Sequence, residues 1–150
     1  MIYLEITSLY HSITMVTDAD NALIPVLSTI FPRTNHLLCI WHLQKDVLAY
    51  IKNEIYTKAM EKDLKQPEHG IFMDKAITEM QTDWNKVLRA STIEEYEQNW
   101  TLFQTRHSGR PAIVNYLTNQ WIPHKEKIVS AWTNKILHYS TIITSRIESF

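Results

Sequence analysis

Two short apolar runs near the start of the chain differ in period from everything after them. Ile13-Thr14-Met15-Val16 is β-branched and apolar, and it stops at Thr17-Asp18. His36-Leu37-Leu38-Cys39-Ile40 is the second run. Each has the length and continuity of a strand buried on both faces of a parallel sheet. Between them Ala22, Leu23, Val26, Leu27 and Ile30 recur at helical spacing. Pro25 falls in the first turns of that helix, where a missing N–H is tolerated best. Phe31-Pro32-Arg33-Thr34-Asn35 then breaks it. Strand, helix and strand within about 30 residues make a βαβ unit with a right-handed crossover. Ile13–Thr17 and Leu37–Ile40 are therefore predicted to be adjacent parallel strands.

After Trp41-His42 the pattern turns helical. Leu43, Val47, Leu48, Ile51 and Ile55 mark a long amphipathic helix, and Gln66-Pro67-Glu68-His69-Gly70 reads as a loop. Phe72, Ala76, Ile77, Met80, Trp84, Val87 and Leu88 mark a second helix. Ser91-Thr92-Ile93-Glu94-Glu95 offers a capping box, either Ser91 with Glu94 or Thr92 with Glu95. Tyr96, Trp100 and Phe103 form an aromatic stripe suited to a core. Gly109-Arg110-Pro111 opens a helix through Tyr116 and Leu117, and Trp121-Ile122-Pro123 separates it from another over Lys125 to Trp132. Residues Met1 to His11 read as a helix end and a turn. His138 to Thr144 reads as loop or a short extended piece, and Ser145-Arg146-Ile147-Glu148 as the beginning of a helix. Two parallel strands need neighbours in a sheet, and a helix started so near the last residue has a nucleus without propagation. The pattern is that of an α/β domain cut at both ends, and such a fragment is expected to aggregate or stay partly molten.

Composition narrows the function classes. The 150 residues are enough for one domain with a core. Two glycines exclude a Gly-rich phosphate loop, and one cysteine excludes an internal disulfide or a Cys-rich zinc module. Cysteine usage points to a reducing compartment. The formal net charge of −1 gives no electrostatic footprint for nucleic acid. Met1-Ile2-Tyr3-Leu4-Glu5 lacks the basic region of a signal peptide. No apolar run approaches the roughly 20 residues of a membrane span.

Four residues could carry chemistry: Asp18, Cys39, His42 and Glu148. Asp18 stands where a strand ends and a helix begins, the usual place for functional groups in α/β proteins, and a helix N-terminus favours a carboxylate. The plain alternative is that Asp18 or Asp20 caps that helix. Cys39 and His42, three apart across a strand-to-helix junction, could be half of a zinc site. His107, His124 and His138 are too scattered to supply a second pair, so Cys39 reads equally as a small buried residue and His42 as a hydrogen-bonded first-turn histidine. Glu148 is spaced from Ser145 as a capping box.

The order of three blocks resembles Mutator-like element (MULE) transposases. The first block runs from Val16-Thr17-Asp18-Ala19-Asp20 through Phe31-Pro32 to His36-Leu37-Leu38-Cys39-Ile40-Trp41-His42-Leu43-Gln44-Lys45-Asp46-Val47. The second is Tyr116-Leu117 with Trp121-Ile122-Pro123-His124-Lys125-Glu126-Lys127. The third is Ser130-Ala131-Trp132-Thr133-Asn134-Lys135 with Thr144-Ser145-Arg146-Ile147-Glu148-Ser149. Far-red-impaired-type transcription factors share this block by descent.

The resemblance implies a partial ribonuclease-H-like fold: a βαβ core segment over residues 13–42, an all-helical insertion over 43–139 and the start of a final core helix at 144–150. It places the second Asp of an Asp-Asp-Glu triad at Asp18, the Glu at Glu148, and a Cys-x-x-His motif at Cys39 and His42. It further implies Mg²⁺ or Mn²⁺ as cofactor, DNA as partner, a possible homo-oligomer and a nuclear location. Hard cations held by carboxylates, about 4 Å apart, are what phosphodiester cleavage and transfer require. Residues 1–17 contain no Asp to serve as the first triad member. The expectation is therefore a transposase-derived fragment with weak metal binding and no activity alone. The alternative is a domesticated domain serving transcription or protein association.

Overall fold

The computed structural model describes residues 3–5, 14–61 and 67–136. Its sheet has three strands in the order β1-β2-β3: β1 is Tyr3–Glu5, β2 is Thr14–Thr17 and β3 is Asn35–Leu38. β2 and β3 are parallel, with Thr14 opposite Asn35 and Thr17 opposite Leu38. The expected strand pair is thus present. Its second member begins two residues earlier than expected and releases Ile40 to the following helix. β1 runs antiparallel to β2, pairing Tyr3 with Val16. A strand therefore replaces part of the helix end and turn expected before His11. Three residues are too few for a legible alternation, and β1 is specified by its partner.

Helix α1, Leu23–Ile30, crosses between the parallel strands. It buries Ile24 and Leu27, and leaves Val26 and Ile30 exposed. The apolar spacing located this helix correctly but suggested a wider buried face than it has. The chain then becomes helical: α2 at Ile40–Glu61, α3 at Pro67–Arg89, α4 at Ile93–Arg106 and α5 at Pro111–Gln120. A 3₁₀ turn at Ile122–His124 leads to two single-turn helices, α6 at Lys125–Ile128 and α7 at Ser130–Thr133. Val129 is extended between them and interrupts the helix expected over Lys125 to Trp132. Among the described residues no strand occurs after β3. The supposed loop at Pro67-Glu68-His69-Gly70 is the first turn of α3. Proline opens a helix well because its missing N–H would have no partner there. Residues 137–150, including Glu148 and the expected extended and helical pieces around it, lie outside the described residues.

One core joins the sheet to the helices. Leu38 of β3 and Ile24 of α1 belong to the same buried cluster as Leu43, Val47, Ile51 and Ile55 of α2. Those four are among the five α2 positions whose spacing predicted the helix; the fifth, Leu48, is partly buried against the cluster. Trp84 of α3 is almost fully buried, edge-on to Trp100 and Phe103 of α4 at centroid distances of 6.3 Å each. The aromatic stripe is core, as expected. Asp83, also buried, accepts hydrogen bonds from Arg106 Nη1 at 2.8 Å and pairs with His107 Nε2 at 2.9 Å, fastening α3 to the end of α4. At the start of α4, Thr92 Oγ1 accepts from the Glu95 N–H at 3.1 Å. The Glu95 carboxylate reaches back to the Ser91 N–H at 2.7 Å. Those bonds from Ser91 hold Glu95 below its ordinary pKa. Of the two possible capping boxes, Thr92 with Glu95 forms. Phe72, expected on the buried face of α3, is 74% exposed.

The Trp84 indole N–H is buried without a hydrogen-bond partner. Trp84→Ala is therefore expected to cost about 3–5 kcal/mol through cavity formation. Trp84→Phe, which also removes an unsatisfied donor, is expected to cost less than half as much. Urea denaturation of the three proteins checks the order.

Candidate functional site

The register of β2 and β3 decides where the polar residues go. Parallel strands finish on the same edge, so Asp18 after β2 and Cys39 after β3 emerge side by side. The Cys39 N–H donates to the Thr17 carbonyl at 2.8 Å, one step beyond the last paired residues. Cys39 also receives the first backbone bond of α2, from the Leu43 N–H at 3.1 Å. His42 is then the third residue of α2, within its first turn, and its ring nitrogen meets the Asp18 carboxylate across the strand ends. Its Nδ1 lies 2.6 Å from Asp18 Oδ1. One donor atom from each of Asp18, Cys39 and His42 lies within 4.8 Å of the others.

Asp18 and Asp20 divide their work. Asp20 caps the helix: its Oδ1 accepts from the Ala22 N–H at 2.8 Å and the Leu23 N–H at 3.3 Å, and its carbonyl accepts from Leu23 and Ile24. This leaves the Asp18 carboxylate free for His42. The side chains of His42 and Asp18 are 40% and 48% exposed, so their pairing contributes little to stability. No well-angled hydrogen bond reaches His42 Nδ1 despite the short contact. The approach is a close polar contact between imidazole and carboxylate. Trp41, half exposed, stands edge-on to the His42 ring at a centroid distance of 4.7 Å. Lys45 Nζ lies 5.3 Å from the centre of the Trp41 ring.

Behind the strand ends sits a polar pair that sequence reasoning passed over. His36 Nε2 is 2.6 Å from Thr17 Oγ1, and that hydroxyl donates to the Asp18 carbonyl at 3.1 Å. Both bonds are satisfied when His36 carries its proton on Nε2. Nδ1 is then a buried acceptor without a partner. Burial pushes the His36 pKa below its ordinary value, and the neighbouring Lys127 and His124 push it further the same way. Lys127 of α6 donates to the His36 carbonyl at 3.4 Å and is itself lowered by burial. A cavity of about 100 Å³ opens here, lined by Met15, Leu27, Phe31, Thr34, His36 and Lys127 among others. The signal available in the sequence was His36 within an apolar strand, which reads first as an ordinary core histidine.

Of the four candidates, Asp18, Cys39 and His42 converge, and Glu148 lies outside the described residues. The donor set is one carboxylate, one thiol and one imidazole. Such a mixture suits zinc and its transition-metal neighbours. Among the described residues it lacks the second carboxylate that a pair of hard cations needs. The fold is helix-rich α/β, and none of its helices, among the described residues, is long and apolar enough to cross a membrane. No protein-family model, curated protein or solved structure matches the chain.

The division of work between the two aspartates has a direct consequence. Asp20→Ala should destabilise the protein by about 1 kcal/mol, the usual cost of losing a helix cap. Asp18→Ala should change stability by less than about half of that, because it removes only an exposed ion pair. Equal losses in thermal or chemical melts would mean that Asp18 is structural.

Proposed function

We propose that this chain belongs to a MULE-type transposase domain with a ribonuclease-H-like core, related to metal-dependent DNA strand cleavage and transfer, and that it is inactive by itself. The observation that carries the reading is the β2–α1–β3 unit with Asp18 at the carboxyl end of its first strand. An acidic residue in that position, followed after α1 and β3 by Cys39 and His42 at the end of the neighbouring strand, matches the order of the family's motifs. The helical mass from α2 onward corresponds to the insertion that separates the core strands from the last acidic residue. In this reading Asp18 and Glu148 are the retained acidic residues, and DNA is the partner.

The residues around Asp18 do not fit the Mg²⁺ pair that the family chemistry implies. Mg²⁺ demands octahedral oxygen coordination and dehydrates reluctantly. Among the described residues, the donors grouped with the Asp18 carboxylate are an imidazole and a thiol. No cleavage step is therefore assigned to this chain. In this reading the chain does not cleave DNA by itself, because among the described residues the donor set around Asp18 has too few carboxylates, whether or not a domesticated role in transcription or association has replaced catalysis.

Two measurements test the proposal. In an experimental structure with residues 144–150 ordered, the Glu148 carboxylate should lie within about 10 Å of Asp18, because two-metal chemistry holds its cations within roughly 4 Å. A larger separation would refute the shared ancestry of the site. With Mg²⁺ or Mn²⁺ present, nicking of supercoiled plasmid by the chain should equal that of Asp18→Ala. Robust nicking abolished by Asp18→Ala would overturn the inactivity.

A further inference from the structure

We infer that Asp18, Cys39 and His42 form a binding site for one zinc-class divalent ion, with its fourth coordination position open to solvent. The inference rests on side-chain geometry and stands apart from the transposase reading.

Three observations support it. The first is convergence: three donors of the types zinc prefers meet within 4.8 Å, although Asp18 is 21 positions from Cys39 in sequence. Tetrahedral zinc, with bonds of about 2.0–2.3 Å, sets its ligand atoms about 3.3–3.6 Å apart. The Asp18–His42 contact of 2.6 Å must therefore lengthen by less than about 1 Å, while the thiol closes in. Both moving side chains are about half exposed, so rotation of the carboxylate meets little resistance.

The second observation is preorganisation. Asp18 follows the last paired residue of β2, and the Cys39 N–H is tied to the Thr17 carbonyl. His42 is fixed by the first turn of α2. All three donors are carried on backbone that is already hydrogen-bonded, so little chain entropy is lost on binding. The third is the state of His42 Nδ1: an enclosed ring nitrogen, beside a carboxylate, that no well-angled hydrogen bond satisfies. A cation between imidazole and carboxylate would satisfy both.

Three protein ligands and one open position are the arrangement of exchangeable zinc sites. Closed structural sites use four. Thiolate and imidazole select against Mg²⁺, which keeps oxygen ligands and water.

The test is titration of the whole chain with Co²⁺ as a spectroscopic substitute for zinc. One equivalent should bind with the visible bands of four-coordinate cobalt and a thiolate-to-metal charge-transfer band in the near ultraviolet. Zn²⁺ should displace it stoichiometrically, and a large excess of Mg²⁺ should not. Cys39→Ser should abolish the charge-transfer band, and Asp18→Asn and His42→Gln should each weaken binding more than tenfold, with far-ultraviolet circular dichroism unchanged. Cobalt binding without the charge-transfer band, unaltered affinity in Cys39→Ser, or displacement by Mg²⁺ at similar concentration would each overturn the site. The wild-type spectrum decides even if a variant misfolds. Plasmid nicking is read separately, so zinc binding can fail while the transposase reading stands, and the reverse.

Discussion

A single backbone hydrogen bond, from the Cys39 N–H to the Thr17 carbonyl at 2.8 Å, carries the β2–β3 ladder one step past its last paired residues. Almost everything of chemical interest depends on it. It holds two chain reversals side by side on one edge of the sheet. Asp18 leaves one of them, and Cys39 starts α2 from the other. A register slip of one residue would turn every side chain of β3 to the opposite face. It would also move Cys39 and His42 along the edge and away from Asp18.

The helices keep that edge in place. Leu38 and Ile24 are packed into the cluster that holds Trp84, Trp100 and Phe103, so the small sheet shares the helical core. α6 returns to the sheet and sets Lys127 against the His36 carbonyl. The Asp83 network ties α3 to the end of α4. By contrast, the Asp18–His42 contact is half exposed and contributes little to stability. A polar contact that is preorganised but contributes little to stability leaves its side chains available to a ligand.

The sequence made the parallel strand pair and the long helices legible because their signals are local and periodic. Leu43, Val47, Ile51 and Ile55 are all buried, as their spacing required. The short antiparallel strand at Tyr3–Glu5 was not legible, since three residues carry no period and its pairing comes from β2. Pro67 misled because proline ends a helix interior and opens a helix equally well. Phe72 and Val26 misled because an apolar residue at helical spacing can still face solvent when nothing packs over it. At the site, the Cys39–His42 half was readable from its spacing. A search for a second Cys/His pair could not find the third ligand, because that ligand is a carboxylate brought in by strand pairing. The partnership of His36 with Thr17 is likewise a product of register.

The convergence of Asp18, Cys39 and His42 is the central claim, and zinc-edge anomalous diffraction from crystals of the chain grown with Zn²⁺ tests it most directly. The account predicts one strong anomalous peak about 2.0–2.3 Å from an Asp18 carboxylate oxygen, Cys39 Sγ and a His42 ring nitrogen. A peak elsewhere, or Asp18 and Cys39 on opposite edges of the sheet, would contradict it.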